Sequence, residues 1–291
     1  MMRKLPLILL PGMLMPMLAL ADNDDWIGLE DEAARSRAGF LLTLDQQNNR
    51  TRSLYLQHSL SDSTEVYLNY SHDRLNQPQQ AFISEDFSAE LLLDLNLDWR
   101  IAAGYQFQGH NGELEINQSA LRIEYAPWPA FMSLQWSAGD VRLYARDDLS
   151  AVVNAGRSIR SDLGSQQIEL GWWFDDFTLS AQYRDFDYQR DISQLETRPL
   201  LQLLVKPGAL AQSGLLLSRQ SSIDLSIPLE PHRFGAHIQS STSALDNSTI
   251  RSLQLDWIHN LNAHFNAMIF ISRYQGSDPN WTISAGLEWN G

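Results

Sequence analysis

Residues 281–291 end the chain with the stretch WTISAGLEWNG. Apolar and aromatic side chains occupy every second position, and small or polar side chains lie between them. The apolar positions are Trp281, Ile283, Ala285, Leu287 and Trp289, and the others are Thr282, Ser284, Gly286 and Glu288. A period of two is typical of a β-strand with one apolar and one polar face. The row begins and ends on Trp, which indicates a strand that crosses an apolar layer and meets an interface at both ends.

The same alternation recurs along the chain from Phe40 onward. The clearest pair is 87–95 followed by 99–107, where one face is apolar throughout and the other is almost entirely polar or small. We count fourteen such segments. The other twelve are 40–44, 54–56, 66–70, 121–125, 132–136, 168–174, 177–183, 223–227, 234–238, 253–257, 265–271 and 281–289.

The connections between these segments alternate in length. Counted back from the end of the chain, one set is always short: 61–63, 96–98, 127–130, 175–176, 230–232 and 260–264. The other set contains every long connection: 74–85, 110–112, 140–164, 185–220 and 241–247. Short turns on one side and long loops on the other characterise bacterial membrane barrels, which have an even number of strands.

We therefore predict an all-β fold, a transmembrane antiparallel up-and-down barrel of about fourteen strands over residues 38–291. Twelve or sixteen strands are the alternatives, and there would be sixteen if residues 198–219 formed one more hairpin and both halves crossed. We interpret that stretch instead as a long loop folded over or into the mouth of the barrel. A soluble β-sandwich would show the same alternation, but it would not require unequal connections or aromatic residues at the strand ends.

Six tryptophans lie at the predicted strand ends, where amphipathic rings favour a membrane interface. They are Trp99, Trp128, Trp172, Trp257, Trp281 and Trp289.

The start of the chain predicts export. Arg3 and Lys4 precede an apolar run that ends in Ala19-Leu20-Ala21, the pattern of a cleavable signal peptide over residues 1–21. We predict that residues 22–37 form a short acidic periplasmic tail, with a plug as the alternative. Cleavage would change the formal charge from −14 to −16, which argues against nucleic acid as a partner. The chain has no Cys, so a disulfide framework is excluded.

The C-terminal strand also resembles the C-terminal signal of Gram-negative outer-membrane proteins, an alternating strand that ends in an aromatic residue. Here Trp289 is followed by Asn290 and Gly291. The resemblance implies a cell outer-membrane location, with outer-membrane lipid and the outer-membrane assembly machinery as partners. The resemblance is to porin-like barrels in general, and it does not identify a narrower family.

The inward face of such a barrel would carry many charged side chains. The predicted pore-lining residues are Glu65, Glu90, Asp94, Arg100, Arg122, Glu124, Glu169, Arg184, Asp224, Arg233, His237 and Asp256. With Glu288 included, eight carboxylates face four arginines. A polar, charged lining suits a water-filled pore, so we predict a channel for passive diffusion of ions or small hydrophilic solutes, with a weak preference for cations.

Two other functions remain open. The barrel could serve as a structural or export partner, which nothing in the sequence excludes. It could also be an outer-membrane hydrolase, for which Ser71-His72-Asp73 is the best candidate. On one strand, however, His72 would face lipid while Ser71 and Asp73 face inward, so the base could not reach the nucleophile. We predict no catalytic residue, metal site or cofactor.

Overall fold

The computed structural model describes residues 36–76, 81–110, 112–144, 158–189, 215–275 and 280–291. The predicted signal peptide, the tail up to residue 35 and the loop residues 190–214 lie outside these ranges. The described residues form fourteen strands. These are β1 (Ser36–Asp45), β2 (Arg50–Ser61), β3 (Thr64–Asn76), β4 (Ala81–Asp94), β5 (Trp99–His110), β6 (Leu114–Tyr125), β7 (Ala130–Tyr144), β8 (Ser158–Trp173), β9 (Thr178–Tyr188), β10 (Leu217–Leu229), β11 (His232–Ser243), β12 (Thr249–Asn262), β13 (Phe265–Gln275) and β14 (Asn280–Asn290).

Each strand pairs antiparallel with its neighbour in the chain, and β1 pairs with β14 to close the barrel. The prediction of a fourteen-stranded up-and-down barrel is confirmed, and the alternatives of twelve or sixteen strands are wrong. Closure leaves no edge strand, so every strand has hydrogen-bonding partners on both sides. The described residues include no helix that is long and apolar enough to span a bilayer.

The two faces of the barrel follow the period-two pattern. On β14 the side chains of Trp281, Ile283 and Leu287 are exposed on the outer face, whereas Thr282 and Ser284 are buried on the inner face. The other strands show the same alternation over their central residues. An apolar surface exposed around a closed barrel is the surface that lipid would cover.

The two ends of the barrel differ. At the turn end, the connections are 62–63, 95–98, 126–129, 174–177, 230–231 and 263–264. The loop end carries the remaining connections, including the two long ones after β7 and β9.

Some strands run further toward the loop end than the sequence predicts. The connection predicted at 74–85 is shorter than expected, because β3 continues to Asn76 and β4 begins at Ala81. Outer positions there include His72, Arg74 and Glu85 beside Ile83, so the apolar alternation is interrupted while the backbone ladder continues.

The seam between β1 and β14 is held by pairs from Arg37↔Asn290 to Asp45↔Thr282. Side chains reinforce it on the inner face. The ring of Tyr55 on β2 crosses β1 above Gly39, and its hydroxyl donates a hydrogen bond to Glu288 on β14. We call Tyr55, Gly39 and Glu288 the seam clamp. A Cβ at Gly39 would lie 2.2 Å from the Tyr55 ring, so the clamp requires glycine at this position.

Substitution Gly39→Ala is therefore expected to destabilise the barrel by roughly 1 to 3 kcal/mol, the usual cost of overpacking. The measurement is the midpoint of heat-induced unfolding of the purified barrel. Gly164→Ala is the matched control, because a Cβ there would meet only one backbone oxygen at 3.9 Å. In a Tyr55→Ser background Gly39→Ala should cost little, and an equal cost in both backgrounds would contradict the clamp.

Candidate functional site: the barrel lumen

All twelve predicted pore-lining residues occupy inner-face positions of their strands. That they line a path for solutes stays a prediction. Four more charged side chains, Arg37, Asp73, Asp86 and Glu288, share this face. Apart from Asp45, which caps a turn through hydrogen bonds from Gln47 and Asn49, the described strands thus present ten carboxylates and five arginines inward. The pore-lining residues predicted from the sequence do not include Arg37 or Asp86, because Arg37 precedes the predicted start of the barrel and Asp86 precedes an apolar row.

Two ion pairs join β4 to the next strands. The Nε of Arg100 lies 2.6 Å from Oδ1 of Asp94, and Nη2 of Arg122 lies 3.2 Å from Oε2 of Glu90. Both β4 carboxylates therefore have a compensating guanidinium beside them. The Arg122 pair spans two strands, from β6 to β4, and its two side chains are about one-tenth exposed.

A second polar group lies on β10 and β11. The Nδ1 of His237 is hydrogen-bonded to Asp224, whose other carboxylate oxygen accepts a bond of 3.2 Å from the Ser222 hydroxyl. The Nε2 of His237 lies 3.2 Å from the amide oxygen of Gln239, and the Gln239 amide nitrogen donates to Ser241 at 2.7 Å. These contacts form a continuous polar track along the inner wall.

Arg184 on β9 differs from the other inner arginines. Its guanidinium donates to the Ser165 hydroxyl at 3.0 Å and to the Gln118 amide oxygen at 3.3 Å, and it lies 4.6 Å from the centre of the Phe186 ring. Among the described residues, no carboxylate forms an ion pair with it. Arg184 is thus a buried positive charge held by neutral groups.

The inner face becomes apolar near the loop end of β6, β7 and β8. We name the following residues the mouth cluster: Leu114, Ile116, Val141, Leu143, Leu163, Leu215, Leu216 and Leu245. The first five are strand residues, and the last three come from the connections before β10 and after β11.

The segment before β10 lies inside the mouth of the barrel. Leu216 is 0% exposed, although it belongs to no strand. Its carbonyl accepts a hydrogen bond of 2.9 Å from the Ala244 amide, and the Tyr188 hydroxyl donates to the Leu217 carbonyl at 2.9 Å. The interpretation of residues 198–219 as a loop folded over or into the mouth therefore agrees with residues 215 and 216. It is wrong for residues 217–219, which belong to β10, and residues 198–214 lie outside the described ranges. Aliphatic residues at inner positions of three adjacent strands are the sequence signal that could have revealed this cluster.

The inner wall is also less polar elsewhere than predicted. Leu41, Ile258, Met268 and Phe270 form a buried cluster on the strands beside the seam. Ala102 packs with Tyr67 and Leu92 in another.

The six predicted interface tryptophans lie at or near the ends of the barrel wall. Trp99, Trp128, Trp172 and Trp289 are exposed at the turn end, and Trp281 is exposed at the loop end. Trp257 is half-buried near the turn end, where it stacks on His232 and His259. Their contact with a membrane interface stays a prediction.

The candidate hydrolase residues are not brought together. Ser71 and Asp73 are buried on the inner face, whereas His72 is on the outer face, with Nδ1 at 3.8 Å from Glu85. In the lumen, the Nε2 of His237 faces Gln239 rather than a hydroxyl nucleophile. Within the described ranges, no cluster of three or more His, Asp or Glu side chains has the arrangement of a metal site.

No protein-family model matches the sequence, and no curated protein matches it either. The structure is similar to a CymD monoaromatic hydrocarbon channel, with a TM-score of 0.53, 7% identity and 88% of each chain covered. It is also similar to a bacterial polysaccharide outer membrane secretin, with a TM-score of 0.51, 8% identity, and 90% of this chain and 100% of that chain covered. At such identities the likeness concerns the fold alone, which is the closed barrel of outer-membrane porins and channels.

Proposed function

We propose that the protein is a porin-like channel in the outer membrane of a Gram-negative bacterium, through which ions or small hydrophilic solutes diffuse passively. The observation that carries this proposal is the opposite polarity of the two faces of one closed barrel. Exposed apolar rows surround the outside, while ten carboxylates and five arginines face inward. A barrel that spans lipid and encloses water requires this arrangement.

A second candidate function is that of a structural or export partner. The mouth cluster favours it, because buried aliphatic side chains occupy part of the lumen at the loop end. The two candidates differ in conduction. The mature protein reconstituted in a planar bilayer should show discrete conductance steps if it is a channel, and a folded, inserted barrel without such steps would support the second candidate.

The inner charges further support a weak preference for cations. Carboxylates exceed arginines two to one, and an excess of fixed negative charge raises the local concentration of cations. Salt weakens this effect, because the Debye length falls from about 10 Å at 0.1 M to about 3 Å at 1 M. The preference should therefore be measurable at low salt and fade at high salt.

The double variant Glu90→Gln/Asp94→Asn is expected to reduce or reverse this preference. The substitutions remove the two carboxylates that form ion pairs with Arg100 and Arg122, so this part of the wall loses two negative charges while both guanidinium groups stay. Reversal potentials across a KCl gradient near 0.1 M provide the measurement.

The matched control is Asp62→Asn/Asp98→Asn, which removes two carboxylates from turns at the turn end. It should leave the reversal potential nearly unchanged. Anion preference of the wild type, or a double variant that behaves like the wild type, would contradict the proposed selectivity.

A further inference from the structure

The outer face of the barrel carries a group of arginines near the loop end. They lie on β2, β3, β12 and β13, the strands that flank the seam pair β1 and β14. We name this group the arginine arc: Arg50, Arg52, Arg74, Arg251 and Arg273. All five side chains are exposed.

Arg52, Arg251 and Arg273 follow directly on the apolar rows of their strands, and Arg50 and Arg74 lie one outer position further along. On β2, Arg52 lies two positions beyond Leu54, and on β13, Arg273 lies two positions beyond Ile271. Two residues along a strand correspond to about 7 Å. If the apolar rows lie in the hydrocarbon of a bilayer, the guanidinium groups therefore lie at the depth of the lipid headgroups.

The arc brings like charges together. Arg50 pairs in register with Arg74, so two guanidinium groups are opposite each other on the outer face. The Arg273 guanidinium lies 5.3 Å from the centre of the Trp281 ring. This contact holds the guanidinium at the same height along the barrel as the Trp281 ring. Glu85 is the nearby outer carboxylate, and it contacts His72. Within the described ranges, no carboxylate lies within 4.0 Å of any arginine of the arc. Like charges directly opposite each other destabilise a sheet unless an anion compensates them.

The rest of the outer face lacks this feature. On the opposite side of the barrel, Arg142 and Arg160 flank Asp140, and Arg219 lies 3.4 Å from Asp185. The turns at the turn end carry Asp62, Asp98, Asp175, Asp176 and Glu230 and contain no Lys or Arg. On the outer face of the described strands, a group of arginines with no carboxylate within 4.0 Å thus occurs on one side of the loop end.

We propose that the arginine arc binds the phosphate groups of lipids in the membrane leaflet at the loop end. A guanidinium presents paired N–H donors that match phosphate oxygens, and several arginines together attract an anionic headgroup strongly. The site lies on the lipid-facing surface, so the ligand is a phosphorylated lipid rather than a solute in the lumen. This proposal rests on the proposed membrane location, but it does not depend on conduction.

The test uses the purified mature barrel in a neutral detergent, with the midpoint of thermal unfolding measured as lipid is added. Diphosphoryl lipid A is the probe, and the same lipid without phosphates and inorganic phosphate are the comparisons. Only diphosphoryl lipid A should raise the midpoint of the wild type. In the variant Arg50→Gln/Arg52→Gln/Arg74→Gln its apparent affinity should fall by on the order of a hundredfold.

The matched control variant is Arg142→Gln/Arg160→Gln/Arg219→Gln, which removes the same charge from the opposite side and should bind like the wild type. Midpoints without lipid verify that both variants fold. Equal stabilisation by phosphate-free lipid or by inorganic phosphate, or retained affinity in the arc variant, would overturn the proposal. A barrel that binds lipid A through the arginine arc but does not conduct would refute the proposed channel function. It would still support the proposed lipid-binding site.

Discussion

Barrels that carry Arg at Leu91, Leu255 or Ile269 are expected to assemble poorly. The three side chains lie on the outer face, Leu91 at the centre of the apolar row 87–95 and Leu255 and Ile269 in the middle of β12 and β13, and they are 47%, 53% and 38% exposed. In a membrane this exposed surface would contact lipid, and an Arg near the bilayer midplane costs roughly 2 to 4 kcal/mol. Such a cost is a large part of the stability of most folded proteins. The measurement is the fraction of folded protein in isolated outer membranes, detected by its heat-dependent shift on a gel.

Gln57→Arg is the control for these variants. Gln57 is half-buried on the inner face of β2, and its amide lies 3.4 Å from a carboxylate oxygen of Glu65, which could pair with the new guanidinium. This variant should assemble like the wild type. Equal assembly of the inner and outer variants would show that the outer face does not contact lipid.

Replacement of Leu216 by Ser is expected to increase single-channel conductance. Leu216 is fully buried in the mouth cluster, and truncating a buried leucine typically costs about 2 to 5 kcal/mol. A loss of this size would weaken the attachment of residues 215 and 216 to the inner walls of β6, β7 and β8. The segment would then occupy the mouth for less of the time, and planar-bilayer recordings would register larger conductance steps.

Leu97→Ser makes the same chemical change at a turn residue that is 87% exposed, and it should leave the conductance unchanged. Unchanged conductance in a folded Leu216→Ser variant would mean that the segment does not narrow the path. A variant that resembles the wild type in conductance but unfolds at a lower temperature would assign the cluster to stability alone.

The number of strands and the direction of their faces could be predicted because a membrane barrel imposes a strict period of two on every strand. The same reasoning failed where the outer face is polar. Residues 74–76 and 81–85 belong to strands although the nearby outer positions include His72, Arg74 and Glu85, since backbone pairing continues where the outer side chains are polar. Hydrophobic alternation therefore marks the apolar band of a strand and not its full length.

The details of the lumen were less accessible from the sequence. The pattern placed Glu90 and Arg122 on the inner face, but their contact spans two strands and depends on register and strand tilt. An inner position also does not imply contact with water. Ala102 faces inward and is nevertheless packed under Tyr67 and Leu92, an arrangement that only the three-dimensional closure of the wall creates.

The seam has a consequence for the order in which the barrel folds. Thirteen strand pairs join neighbours in the chain, whereas the pair β1 and β14 joins Arg37 to Asn290. Pairing of such distant residues has a large loop-closure entropy and is slow compared with hairpin formation. Until it forms, β1 and β14 are open edges that can pair with other chains. Closure of the seam is therefore expected to be the last and slowest step, and the seam clamp acts only after the other hairpins have formed.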